Sequence, residues 1–220
     1  MSKLLGKYKN GNYFVSIYDD GTKIRENDLD FFEAEFPESA DVKITNRCTD
    51  PLGKGCGNCK FCHEGSGPCG KHSDALHSPI WDSFHEYSET ALGGGDVLEY
   101  PDFVPLLERL KTLKLLPSIT VHQTHFMENL ELLRELRDKK LIYGLGVSLV
   151  NPTQEGFIDA LKEFPNAVVH VINGIVELNQ LKVLADNNIK VLILGYKKVR
   201  RGEKLYYENE DAQKHIDILK

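Results

Sequence analysis

The spacing of apolar residues divides the chain into two parts with different periodicities. Over residues 1–25 apolar and polar side chains alternate, and the dipeptides Asn10-Gly11 and Asp20-Gly21 are strong turn signals. This pattern predicts a small antiparallel β-meander, which an acidic connector over residues 26–38 follows. Beyond residue 39, short apolar strands alternate with segments of helical spacing.

The second part predicts a parallel α/β sheet with right-handed crossovers. One helical segment is predicted near residues 79–87. Four more are predicted where apolar residues, mostly leucines, recur at helical spacing; these begin near Phe103, Leu130, Phe157 and Leu178. The strands are nearly continuous apolar runs, which is typical of strands covered on both faces. Six strands are predicted, over residues 41–45, 90–92, 118–122, 145–149, 167–172 and 189–194.

Six βα-units are fewer than the eight of a closed barrel, and they favour an open, partial (βα)6 TIM-like barrel. A flat, doubly wound sheet is the alternative, because periodicity does not separate the two. We therefore divide the chain into an N-terminal meander over 1–38, a partial barrel over 39–200 and a C-terminal tail over 201–220.

Composition narrows the class of protein. Hydrophobic residues make up 41% of the 220 residues and charged residues 27%, as in ordinary globular proteins, and the formal net charge is −6. We expect no broad nucleic-acid surface, no membrane span and a cytoplasmic location. A basic cluster near the C-terminus is interpreted as part of a solvated tail; it contains Lys197, Lys198, Arg200, Arg201 and Lys204.

Four of the five cysteines lie between residues 48 and 62. In a cytoplasmic protein such crowding indicates metal ligation rather than disulfides. A bacterial ferredoxin pattern would need a cysteine where Ser66 stands. A structural zinc site remains open, and with it a zinc-stapled α/β binding module that contacts nucleic acid through the basic cluster. Its candidate ligands are Cys56, Cys59, Cys62 and either Cys69 or His63.

Polar residues and glycines follow each predicted strand, and the carboxyl ends of parallel strands share one edge of the sheet. The sequence therefore predicts a single site at that edge. The residues there include Asn46 and Arg47, Gly93 to Asp96, His122 and His125, Ser148, Asn173 and Gly174, and Gly195 and Tyr196.

Three segments of the chain together resemble the radical SAM superfamily. They are residues 41–48, which end in Cys48, the pair Cys59-Lys-Phe-Cys62, and the turn Gly93 to Asp96. The resemblance covers roughly residues 41–196, and in it Phe61 matches an aromatic residue before the last cysteine. It departs from the family in that ten residues, rather than three, separate Cys48 from Cys59.

Two cluster-ligand sets follow from that departure. Cys48, Cys59 and Cys62 keep the first ligand at a strand end and treat the intervening run as an insertion. Cys56, Cys59 and Cys62 keep a compact loop. We favour the first set, because strand-end placement is a geometric requirement whereas loop length is tolerant.

The resemblance implies an enzyme that holds a 4Fe-4S cluster and cleaves S-adenosylmethionine reductively. The resulting 5′-deoxyadenosyl radical would take a hydrogen atom from a protein, peptide or small-molecule substrate. A flavodoxin or ferredoxin would donate the electron. His122 and His125 are the substrate-side catalytic candidates. The implied cofactor-binding residues are Phe61, Gly93, Gly94, Gly95, Asp96, Ser148, Asn173, Gly174 and Tyr196.

Overall fold

A computed structural model of the chain describes residues 2–49, 59–208 and 210. Within these residues the chain forms two sheets and six α-helices. The strands are β1 (Leu4–Asn10), β2 (Tyr13–Tyr18), β3 (Lys23–Glu26), β4 (Ser39–Thr45), β5 (Glu89–Gly94), β6 (Leu116–His122), β7 (Gly144–Ser148), β8 (Ala167–Ile172) and β9 (Val191–Leu194). The helices are α1 (Phe103–Thr112), α2 (Gln123–Glu128), α3 (Leu130–Asp138), α4 (Phe157–Lys162), α5 (Leu178–Asp186) and α6 (Arg201–Glu208).

The larger sheet is parallel and open. Its six strands pair in chain order from β4 to β9, and β4 and β9 are its two edges. The partial TIM-like barrel predicted from the sequence is therefore wrong, and the sheet is closer to the open sheet of Rossmann-like proteins. The error has a physical cause, because hydrophobic periodicity encodes strand and helix but not the tilt and stagger that curve a sheet towards closure.

The two faces of this sheet are buried to different degrees. Right-handed crossovers between strands in chain order place the helices on one face. That face contributes Leu92, Ile119, Val147 and Val169 to a core shared with α1, α3 and α4. In β6 and β8 the residues one position away along the strand are half-buried. The expectation that both faces are covered is thus wrong for the second face.

The smaller sheet confirms the predicted meander. β1, β2 and β3 pair antiparallel around the turns at Asn10-Gly11 and Asp20-Gly21. Its apolar face packs on Leu116 and Tyr143, which begin β6 and precede β7. The Tyr143 hydroxyl also donates to the Tyr18 carbonyl at 2.9 Å. The meander therefore covers the amino edge of the parallel sheet, opposite to the edge where the site is expected.

Helix predictions fail at three places. The segment near 79–87 contains only a 3₁₀ turn, Pro79–Ser83, and Tyr87 takes a positive φ of 67° that no helix continues. Helix α2, directly after β6, has no counterpart in the prediction. The predicted tail also contains a helix: residues 201–208 form α6, in which Gly202 and Tyr206 are buried.

No helix in the described part of the chain is long and apolar enough to cross a membrane.

Candidate functional site

The chain after β4 runs beside a returning loop, residues 59–72, which we call the cysteine loop. The Cys48 N–H donates to the Gly67 carbonyl at 3.0 Å, and the Asn46 N–H donates to the Lys71 carbonyl at 2.8 Å. Gly70 permits this approach, because a Cβ at that position would lie 1.9 Å from the Asn46 carbonyl oxygen. Backbone pairing thus places Cys48 at the carboxyl edge of the sheet, as the sequence predicts.

Cys59 and Cys62 occupy a tight turn at the start of the cysteine loop. The Cys62 N–H donates to the Cys59 carbonyl at 3.0 Å, and both thiols and Phe61 are half-buried. Cys69 is exposed. Cys56, which belongs to the alternative ligand set and to the zinc set, lies outside the described residues.

The Cys48 thiol is a poor acid in this setting. Burial raises the pKa of the Cys48 thiol to about 12, and negative charge on Asp96, Cys59, Glu99 and Cys62 acts in the same direction. Near neutral pH the Cys48 thiol is therefore protonated in the metal-free chain. A metal ion that binds it must displace a proton.

The three glycines at the end of β5 differ in their surroundings; Gly93 and Gly94 are its last two residues, and Gly95 follows them. A Cβ at Gly94 would lie 1.9 Å from the Thr45 carbonyl oxygen, and one at Gly95 would lie 1.8 Å from that of Arg47. Both glycines are thus required by the close approach of the chain after β4. A Cβ at Gly93 would meet nothing within 4 Å. Of the three predicted cofactor contacts, Gly93 is the position with space for a ligand.

Asp96 and His125 form a buried ion pair. The Asp96 Oδ2 atom lies 2.6 Å from His125 Nδ1, and each side chain is 6% exposed. Burial lowers the pKa of His125, but the hydrogen bond and the charge of Asp96 outweigh burial and raise it. Asp96 also accepts the Leu98 N–H at 3.0 Å. The sequence assigned Asp96 to the cofactor and His125 to the substrate, whereas the structure brings them into contact with each other.

A second carboxylate, Glu99, anchors the chain around Cys48. It accepts from Arg47 Nε at 3.0 Å, and from both the N–H and the hydroxyl of Thr49 at 2.6 and 2.5 Å. These bonds span about fifty positions along the chain, from residues 47 and 49 to residue 99. Sequence reasoning missed Glu99, because a single acidic residue in a short turn carries no local signal.

The half-buried face of the sheet carries a row of polar side chains across three strands. His122, Ser148 and His170 are aligned by the parallel register of β6, β7 and β8. The His122 Nδ1 atom accepts the Thr124 N–H at 3.3 Å, so a neutral His122 carries its proton on Nε2. Burial lowers the pKa of His170. His170 did not figure in the sequence prediction, although it lies in a predicted strand.

Gly146 makes room for this row. A Cβ there would lie 2.5 Å from His170 Cε1 and 2.6 Å from Thr120 Oγ1.

Gln123, at the start of α2, holds the loop after β7: its Oε1 atom accepts the N–H groups of Val150 and Asn151 at 2.8 and 2.9 Å. The fully buried Gln123 is a second residue that sequence reasoning missed.

The remaining predicted residues follow β8 and β9. The Asn173 N–H donates to the Leu194 carbonyl at 2.8 Å, and Gly174 takes a positive φ of 80° in the turn that follows. Helix α5 begins only at Leu178, with Glu177 as its N-cap. The Tyr196 hydroxyl donates to the Gly202 carbonyl at 2.7 Å, which joins Tyr196 to α6.

The donor chemistry at this edge fits an iron–sulfur cluster. Thiolates are the usual cluster ligands, and the half-buried Cys48, Cys59 and Cys62 lie on the cysteine loop or on the chain that pairs with it. Among residues 2–49, 59–208 and 210, no group of three or more His, Cys, Asp or Glu side chains is placed to hold a single metal ion. A cluster spreads its ligands over several iron atoms, so its thiols need not converge on one point.

Comparisons with known proteins add no family assignment. A scan against protein-family models gives no match, and a search of the curated proteins gives no significant match.

Proposed function

We propose that this chain is a radical SAM enzyme that binds a 4Fe-4S cluster through Cys48, Cys59 and Cys62. The observation that carries the proposal is the position of Cys48. It lies at the carboxyl edge of the parallel sheet, where its N–H donates to the Gly67 carbonyl of the cysteine loop that also carries Cys59 and Cys62. A bound cluster would supply the electron that cleaves S-adenosylmethionine.

The residues around the thiols have distinct tasks in this proposal. Gly93 has open space at its Cα, so a ligand can approach the backbone there. The polar row on the half-buried face offers hydroxyl and imidazole groups to the ribose and to the substrate; it comprises His122, Ser148 and His170. The buried pair of Asp96 and His125 holds the turn after β5 against α2.

Anaerobic reconstitution tests the proposal. The reduced chain is incubated with iron and sulfide, and the metal and sulfide contents are measured together with the visible absorption spectrum. We expect about four iron and four sulfide per chain. With dithionite and S-adenosylmethionine, the reconstituted chain should release 5′-deoxyadenosine and methionine, measured by liquid chromatography.

Two cysteine variants make the test specific. Cys62→Ala should abolish both cluster assembly and 5′-deoxyadenosine formation, because it removes a proposed ligand. Cys69→Ala is the matched control and should retain both, since Cys69 is exposed and is not a proposed ligand. One tightly held zinc per chain, with no iron uptake, would instead support the zinc-stapled binding module and would refute the enzyme.

A further inference from the structure

Arg201 joins the two ends of the first half of the cysteine loop. Its Nε atom donates to the Cys59 carbonyl at 3.3 Å, and both terminal nitrogens donate to the Ser66 carbonyl at 3.0 Å. These bonds cross 142 and 135 positions of the chain. One guanidinium thus restrains the backbone on either side of Cys62.

Further contacts connect the same loop to both edges of the parallel sheet. Arg200 donates to the Glu64 carbonyl, and Lys197 Nζ lies 3.3 Å from His63 Nε2. At the opposite edge, Lys43 of β4 forms an ion pair with Glu64 at 2.5 Å. The cysteine loop therefore lies between β4 and the chain that follows β9.

Packing at Gly202 makes the same segment compact. A Cβ at this position would lie 2.4 Å from the Lys197 carbonyl oxygen and 3.4 Å from that of Phe61. The Tyr196 hydroxyl closes the segment on itself through the Gly202 carbonyl. A glycine is required here because the Lys197 carbonyl leaves no room for a Cβ, and the same position lies in ordinary contact with the Phe61 carbonyl of the cysteine loop.

We propose that residues 196–206, the C-terminal strap, hold the cysteine loop in the conformation in which its thiols can ligate a cluster. Arg201 is the positioning residue that fixes Cys59. A planar guanidinium carries several N–H donors in a fixed fork and can serve two carbonyls at once, which an ammonium group does less well. The inference rests on the proposed function for one point, that the thiols bind an iron–sulfur cluster. That the strap orders the cysteine loop does not depend on the proposed function.

Thiol labelling of the metal-free chain measures that order directly. The full chain is reduced, treated with a chelator and alkylated with iodoacetamide, and each cysteine is followed by peptide mass spectrometry. In Arg201→Ala we expect Cys59 and Cys62 to react about tenfold faster than in wild type, because charge-assisted bonds no longer oppose local opening. Cys69, which is already exposed, should react at its wild-type rate and serves as the internal reference.

Three further variants define the cause. Gly202→Ala should also accelerate labelling of Cys59, since its methyl group clashes with the Lys197 carbonyl and so displaces the start of α6, which carries Arg201, without removing a charge. Arg201→Lys should react nearly as fast as Arg201→Ala, because it keeps the charge and loses the fork. Arg134→Ala removes an exposed pair with Glu163 and should leave all rates unchanged. Circular dichroism identifies a variant that fails to fold, in which case the other variants decide.

Equal labelling of Cys59 in wild type, Arg201→Ala and Gly202→Ala would overturn the strap. A wild-type rate in Arg201→Lys would overturn the bridging role of Arg201. Failure of the strap and failure of the proposed function are distinguishable. If wild type binds no iron but Arg201→Ala still labels faster, the strap stands and the proposed function falls. If wild type binds a cluster but all variants label equally, the proposed function stands and the strap falls.

Discussion

Asp96 Oδ2 and His125 Nδ1 lie 2.6 Å apart in the interior, and only 6% of either side chain is exposed. The pair connects the glycine turn after β5 to helix α2. A buried charge loses its hydration, and only the attraction to its partner offsets that cost. Loss of either partner therefore leaves the other charge buried and unpaired.

We therefore predict that Asp96→Asn lowers the free energy of unfolding by about 2–3 kcal/mol. Urea titration at pH 6 measures this change, because His125 is then charged in the folded chain. Asp82→Asn is the matched control: Asp82 pairs with Arg109 at 2.9 Å but is 59% exposed. The control should change stability by less than about 1 kcal/mol. Equal losses in both variants would contradict a special role for the buried pair.

The raised pKa of His125 gives the pair a definite pH dependence. A histidine whose folded pKa exceeds its unfolded value adds stability that is complete below the unfolded pKa, about 6.5, and is lost as pH rises through the folded pKa. We expect the stability difference between wild type and His125→Gln to shrink as the pH of the urea titration is raised from 6 towards 9. A difference that is constant or grows with pH would refute this assignment.

His170 provides a control of opposite sign. Burial lowers its pKa, so the folded chain keeps it neutral at pH values where the unfolded chain protonates it. Its presence therefore costs stability as pH falls below about 6.5. His170→Gln should become more stable relative to wild type in that range, in the same urea titrations that are used for His125→Gln.

Substitutions at Gly93 and Gly95, at the end of β5, should separate folding from ligand binding. Gly95→Ala places a methyl group against the Arg47 carbonyl and should cost about 1–3 kcal/mol in the free energy of unfolding. Gly93→Ala meets no atom within 4 Å and should stay within about 0.5 kcal/mol of wild type. Under the proposed function, Gly93→Ala should still weaken S-adenosylmethionine binding, measured by calorimetry on the reconstituted chain. Unchanged affinity would remove Gly93 from the site.

Separate alanine variants decide between the two ligand sets. We expect Cys48→Ala to lose the iron that wild type takes up on reconstitution, because Cys48 lies just after the strand end and its backbone pairs with the cysteine loop. Cys56→Ala should retain it. Iron analysis after gel filtration measures both, and loss of iron from Cys56→Ala alone would show that the compact loop supplies the third ligand.

Local patterns in the sequence predict the elements of this fold well. Asn10-Gly11 and Asp20-Gly21 mark the turns of the meander, and apolar runs mark all six parallel strands. The direction of those strands then places Cys48, Gly93, His122 and Ser148 near one edge. Turns and strands depend on residues that are close together in the sequence, so the spacing of apolar and turn residues predicts them.

Contacts between distant residues are the part that the sequence does not predict. The pairing of Asp96 with His125 joins two strand ends, and the binding of Arg201 to Ser66 joins the C-terminal helix to the loop. Curvature of the sheet is likewise a property of all six strands together. The basic residues near position 200 suggested a solvated tail, because charge alone does not reveal that a guanidinium has backbone carbonyls to bind.

The reach of Arg201 sets an order of events during synthesis. A ribosome releases Cys59 and Ser66 well before residue 201, yet the bonds that restrain the loop need Arg201. Domains form from the N-terminus as the chain emerges, and contacts across such separations form last. On this schedule the meander and the first strands can assemble on the nascent chain while the cysteines remain accessible. The bonds from Arg201 to the loop form only when α6 has left the exit tunnel.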